Sequence, residues 1–289
     1  MFPLKALKNL LNLLLYSNIF IGACAVALTF TNQITVEGEI HFNKTYWFVF
    51  FSTMFTYSFL KFRGSSATAS ETSHRTWAQE NPQLSKNILL ITLVVAVSFF
   101  FMLDRQQQII AGLLASFTAF YGMVDIPFLK PAKKLRDFGL FKTLFVAIVW
   151  SVTTVVIPLS GTFVENDIMV FLLLRRFLFL LALTIAFEIK DLKSDEEYQL
   201  QTIPMRLGVS NTKLLAQGIL FLLMLLNLVQ YFFFTIPLSN MLAVNLSLLV
   251  SILCIQPLHE DSPDWWYYFV LDGMMILQFL FVYMVTNLL

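Results

Sequence analysis

Three carboxylates, Glu188, Asp191 and Asp195, follow one another at spacings of three and four residues. At 100° per residue they fall within about 60° of one another on a helix, so they share a face. Acids placed this way repel unless a cation joins them. A hard divalent cation such as Mg²⁺ takes oxygen ligands and commonly bridges carboxylates to a diphosphate. Lys190 and Lys193 interleave with the triad, so a solvated, charged helix end competes as a reading of the spacing alone. A few residues on, the chain reads Gln201-Thr202-Ile203-Pro204-Met205-Arg206-Leu207-Gly208.

The elements that must position these acids follow from composition. Of 289 residues, 58% are hydrophobic and 13% charged, 31 are Phe, and the mean hydropathy is +0.74. Soluble domains carry about 25% charged residues. The composition excludes an ordinary cytosolic enzyme, a nucleic-acid binder with a basic face and a disulfide-stapled secreted domain. It fits an all-α protein whose solvent is lipid. Spans of about 20 apolar residues are predicted at 9–31, 45–62, 87–103, 108–128, 142–162, 168–187, 213–236, 238–256 and 265–288. These nine form one polytopic membrane domain over 1–289. The weakly basic Met1–Lys8 segment is read as leading into a retained first helix. Cys24 and Cys254 sit in apolar runs as small buried hydrophobes.

Net charge is +1, so no global field selects a partner, and nucleic acid is not one. With nine spans, the side that holds the N-terminus carries 15 of the 19 Lys and Arg residues. The positive-inside rule puts that side in the cytoplasm, in a plasma or inner membrane. The loops after the second, fourth and sixth spans are then long, polar and cytoplasmic, and a polar site is expected there.

The acidic face followed by Thr202-Ile203-Pro204-Met205-Arg206-Leu207-Gly208 resembles the second signature of the UbiA superfamily of intramembrane prenyltransferases. Members read D-x-x-D-x-x-x-D and then T-L-P-V-R-L-G, and here Glu188 replaces the first Asp. The specific match covers about residues 184–208, while the span count and the site's location extend it loosely over the whole chain. The resemblance implies transfer of a prenyl group from a prenyl diphosphate to an aromatic or lipid acceptor. It also implies Mg²⁺ on Glu188, Asp191 and Asp195, which assists ionisation, and a Phe-rich tunnel for the tail. Arg206 of the signature is expected to contact substrate. Asn18, in the first span, and Lys130 or Arg136, after the fourth, match places where members carry cavity-facing polar or basic residues.

One departure is large. The family's first acidic motif belongs at the end of the second span, but Thr56-Tyr57-Ser58-Phe59-Leu60-Lys61-Phe62-Arg63-Gly64 contains no carboxylate. Either Lys61 and Arg63 bind phosphate directly in a remodelled site, or the chain is an inactive relative that binds a lipid or partner. The intact second signature favours an enzyme. Arg175 and Arg176 lie within the sixth span, where a charge costs about 2.5–3.5 kcal/mol on insertion scales. Asp272, in the ninth, is the expected partner for one of them. His259-Glu260-Asp261 is read as a solvated turn, and Trp265 to Tyr268 as an interfacial aromatic belt.

Overall fold

The computed structural model describes residues 10–64, 73–123, 125–126, 133–134, 139–162, 164–197, 201–233 and 237–288. The long helices are α1 (Ile19–Glu37), α2 (Lys44–Gly64), α4 (Pro82–Met102) and α5 (Arg105–Met123). They continue with α6 (Gly139–Ser151), α7 (Asn166–Glu197), α8 (Ile203–Phe233), α9 (Leu238–Ile255) and α10 (Asp272–Leu288). A short helix, α3 (Ser73–Glu80), precedes α4, and a two-residue antiparallel pair, Asp125–Ile126 with Lys133–Lys134, follows α5.

Seven helices among the described residues are long and apolar enough to cross a membrane. The helices α2 and α5 stand where the second and fourth spans are expected, with 21 and 19 residues. They are not among the seven, because α2 mixes Thr, Ser and Tyr into its apolar run and α5 opens on Arg105-Gln106-Gln107-Gln108. Large apolar side chains such as Leu90, Phe101, Phe117 and Phe232 are exposed on the outside of the bundle. Lipid solvates such a surface where water would not.

The helices close into a ring. Helix α1 packs on α2 and α10, α10 on α9, α9 on α8, α8 on α7, and α7 on α6. Helix α6 runs through a π-helical stretch, Val152–Val156, that touches α1 and completes the ring. A second π-helical stretch, Trp266–Leu271, leads directly into α10. Such turns shift the side-chain register and are frequent beside functional sites.

The first expected span, 9–31, is broken. Residues 17–18 form a turn between a helical segment over 10–16 and α1. Asn18 has φ +66°, the one positive-φ non-glycine among the described residues. Its side chain donates to Ser58 Oγ at 2.8 Å and accepts from Lys61 Nζ, which holds the break open. An apolar count cannot register a one-residue change of backbone hand. Asn18→Ala is expected to lower the melting temperature, because the left-handed conformation costs an ordinary residue about 1–2 kcal/mol and the Ser58 bond is lost. Asn18→Gly should recover the backbone part of that loss, and thermal melts of the two variants in detergent check it.

The sixth and seventh helices are longer than a bilayer needs. The 32 residues of α7 and 31 of α8 exceed the roughly 20 required. The surplus of α7 carries the three acids. Gly208 sits inside α8 at φ +76° and ψ 163°, a break between the turn Ile203–Leu207 and the membrane rod. Only glycine adopts that conformation without strain, which accounts physically for the Gly that closes the second signature.

Candidate active site

At the end of the bundle where α7 delivers its acids, a cavity of about 420 Å³ opens between α1, α2, α6, α7 and α10. Its deeper wall is apolar and includes Ile21, Val146, Leu180, Leu183 and Met275. Tyr57, Trp150, Phe187 and Tyr268 add aromatic faces, with Trp150 Nε1 donating to the Tyr57 hydroxyl at 3.1 Å. The polar groups at the cavity are Asn18, Lys61, Lys142, Thr143, Thr184, Glu188, Asp191 and Asp272. One π-helical stretch begins two residues after Trp150, and the other contains Tyr268, which lines the cavity.

The three acids of the triad make different contacts. Glu188 is buried; one oxygen accepts from the Thr143 hydroxyl, and the other accepts from the Ile203 N–H at 3.1 Å. It therefore satisfies a buried donor at the N-terminus of α8 that has no partner within the helix and ties α6, α7 and α8 together. Asp191 pairs with Lys142, Nζ to Oδ2 at 3.0 Å, and lies 3.9 Å from Lys190. Asp195 and Thr202 are both buried, and the Thr202 hydroxyl acts on the Asp195 carboxyl as a hydrogen-bonding neighbour. Among the described residues no group of three or more His, Cys, Asp or Glu side chains stands together as a metal site.

Lysines fill much of the remaining space. Lys61, on the last two turns of α2, occupies the region where the resemblance led to an expectation of acids, and Asn18 holds its ammonium. Lys190 lies 3.6 Å from Asp264 and 5.1 Å from the Tyr268 ring centroid. Lys142 enters from the first turn of α6. The fifth expected span, 142–162, begins at Lys142, so its place at a helix start was legible, while its pairing with Asp191 was not.

Of the other expected site residues, Asn18 and Lys61 line the cavity. Arg206 is exposed and donates to Gln201 Oε1 at 2.6 Å, away from it. Arg63 falls on the last turn of α2, but its side chain lies outside the described residues, as do Lys130 and Arg136.

Two expectations are corrected. Asp272 pairs with neither arginine: it lines the cavity, where Lys61 is the opposite charge acting on it. Arg176 instead donates to Gln278, six residues further along α10. At 1.5 Å per residue that is about 9 Å deeper, so depth and not charge decided the partner. The aromatic belt also divides. Trp265 is exposed, Tyr267 is fully buried, and Tyr268 turns into the cavity. The turn at His259-Glu260-Asp261 is exposed as expected. Lys193 bonds to Asp261 and holds that carboxyl below the usual carboxylate range. So exposed a pair contributes little to stability.

A ring of membrane helices thus surrounds an apolar cavity with a charged mouth, the architecture of an intramembrane protein. The model of the UbiA prenyltransferase family matches residues 67–279, and the chain belongs to that family. A search of curated proteins finds no match. Among solved structures, a UbiA homologue from Archaeoglobus fulgidus bound to GPP and Mg²⁺ is similar, with a TM-score of 0.63 and 9% identity over 94% of this chain and 99% of that one. The same homologue bound to DMAPP and Mg²⁺ has a TM-score of 0.62 and 9% identity, over 96% and 99%. A structure from work on digeranylgeranylglyceryl phosphate synthase has a TM-score of 0.58 and 13% identity, over 96% and 99%. The protein is an integral membrane protein with a UbiA-like fold.

Proposed function

We propose that the protein is a prenyltransferase that moves a prenyl group from a prenyl diphosphate to a lipophilic aromatic or lipid acceptor. The observation that carries this reading is the cavity itself, apolar and aromatic in depth, with Lys61, Lys142 and Asp191 at its mouth. In this reading the tail lies against Ile21, Leu180 and Leu183, and the diphosphate meets the two ammonium groups. Lys61 and Lys142 neutralise charge as it builds on the departing oxygen. The allylic C–O bond breaks with its electron pair leaving on the diphosphate, and the acceptor's electron pair forms the new bond to the same carbon. Trp150, Tyr57 and Tyr268 offer ring faces to the positive charge in between and exclude water from it. Asp272 is the carboxylate set to take the proton that the acceptor releases. The gathering of Lys and Arg at this end supports a mouth that faces the cytoplasm.

The donor set bears on Mg²⁺, which the Archaeoglobus homologue binds. Of the carboxylates at the cavity, Glu188 already has both oxygens engaged and Asp272 faces Lys61, which leaves Asp191 at the mouth as the one set to meet an incoming cation. That set does not suit an ion held by protein alone. It does suit one Mg²⁺ that arrives on the diphosphate, since Mg²⁺ takes one or two carboxylates, substrate phosphates and waters. Asp191 would hold it, with Asp195 behind, and the ion would supply further charge neutralisation to the leaving group.

The test is diphosphate release by the purified protein with geranyl or dimethylallyl diphosphate and a membrane-lipid extract as acceptor, in Mg²⁺ and in EDTA. Release in Mg²⁺ that falls at least tenfold in EDTA is expected. No release from any prenyl donor would overturn the reading and leave a lipid-binding relative of the family.

A further inference from the structure

Below the cavity the bundle closes on a polar layer. Arg176, 4% exposed, donates from Nη1 to Gln278 Oε1 at 3.1 Å and from Nη2 to the Leu28 carbonyl and Asn32 Oδ1, each at 2.9 Å. Asn32 Nδ2 donates on to the Thr154 carbonyl at 2.8 Å, and Gln278 Nε2 to Ser247 Oγ at 3.3 Å. These bonds join α1, the π-helical stretch after α6, α7, α9 and α10 at one level. Of the helices that wall the cavity, α1, α7 and α10 run directly into this layer, and α6 reaches it through its π-helical continuation.

The cavity ends just above. Its deepest lining side chains are Ile21 on α1, Trp150 on α6, Leu180 on α7 and Met275 on α10. Thr154 follows Trp150 by four residues, Arg176 precedes Leu180 by four, and Gln278 follows Met275 by three. At 1.5 Å per residue the layer lies about 5–6 Å below this floor. Ala25, Leu28 and Phe179 are fully buried in the same apolar cluster as the floor. An apolar tail pushed further would part buried hydrogen bonds and leave a guanidinium without acceptors, a state with a large desolvation cost. At the side, Phe20 lines the cavity and packs its ring on Phe269, with centroids 5.3 Å apart.

We propose that this floor limits the prenyl donor to a tail of two or three isoprene units, with Leu180 and Met275 setting the limit. The inference rests on the prenyltransferase reading above. From Asp191 at the mouth to Leu180 at the floor, α7 covers eleven residues, about 16 Å. The diphosphate occupies the first turn of that depth beside Asp191 and Lys142, about 5 Å. With carbon–carbon bonds of about 1.5 Å, a four-bond isoprene repeat extends about 5 Å. The remaining depth holds two extended repeats, or a third that bends across the floor. A fourth has no room short of the Arg176 layer.

The experiment uses the purified full chain in detergent with dimethylallyl, geranyl, farnesyl and geranylgeranyl diphosphate, which carry one to four isoprene units. Displacement of radiolabelled geranyl diphosphate reads binding, and diphosphate release reads turnover. Affinity and kcat/KM are expected to peak at two or three units and to fall at least tenfold at four. Leu180→Ala, and separately Met275→Ala, should raise the four-unit donor at least threefold relative to the three-unit donor, while Leu180→Phe should shift preference to shorter tails. Equal affinity for three and four units would overturn the proposal, since the tail then leaves the bundle sideways. A preference that all three variants leave unchanged would overturn it too. Length-selective binding without release would sink the transferase reading and leave the limit standing, whereas binding of no prenyl diphosphate would overturn both. The length series of the unsubstituted protein decides the matter even where a floor variant fails to fold.

Discussion

Asp191→Ala is expected to lower prenyl-diphosphate turnover by at least ~100-fold while the protein still expresses, extracts and melts as the parent does. Removing one preorganised charged group from a site where charge develops costs about 10²–10³ in rate. Asp191 is suited to such a role because it presents its carboxylate to the cavity and holds Lys142 there at 3.0 Å. Its substitution removes an acceptor for an incoming cation and frees the ammonium that meets the diphosphate. Half-exposed as it is, with 36% of its side chain accessible, the residue contributes little packing, so the fold should tolerate its loss. Asp191→Asn keeps the shape and removes the charge, and should be nearly as inactive. Diphosphate release measures both. Turnover within a few-fold of the parent in Asp191→Ala would remove Asp191 from the site.

Glu188→Ala is expected to do something different, although the same sequence motif contains both acids. It should destabilise the protein by about 2–4 kcal/mol, because two buried partners, the Thr143 hydroxyl and the Ile203 N–H, lose their acceptor at about 1–3 kcal/mol each. The melting temperature should fall by on the order of 5 °C or more. Glu188→Gln retains an acceptor oxygen and should recover much of that loss. Thermal melts of the three proteins separate the outcomes. An alanine variant that melts with the parent but has lost turnover would return Glu188 to the substrate's side of the site.

These two expectations show where the sequence was legible and where it was not. The helices of the membrane domain could be read because lipid imposes length and apolarity on each span, a local rule with local evidence. The helical segments at 82–102, 139–159, 166–197, 203–233 and 238–255 stand where apolar runs predicted them. The surplus length of α7 followed from the same rule, since acids at 188, 191 and 195 lie past the end of an apolar run. The break at Asn18 was not legible, because it depends on Ser58 and Lys61 from another helix. The role of Lys142 was not legible for the same reason, since its partner is 49 residues away in the chain.

The sequence by itself determined the class of protein, the end of the bundle where charge gathers, and the family signature with its glycine. Each of these rests on composition, on periodicity or on a contiguous motif. Only the tertiary structure decided that Glu188 caps a helix while Asp191 meets the cavity. It also decided that Asp272 shares that cavity with Lys61, and that no carboxylate among the described residues pairs with Arg175 or Arg176. The reason is depth and packing. Which partner a buried charge reaches depends on how far along each rod its residue lies and on which helix stands beside it, and neither is written in the spacing of residues along one chain.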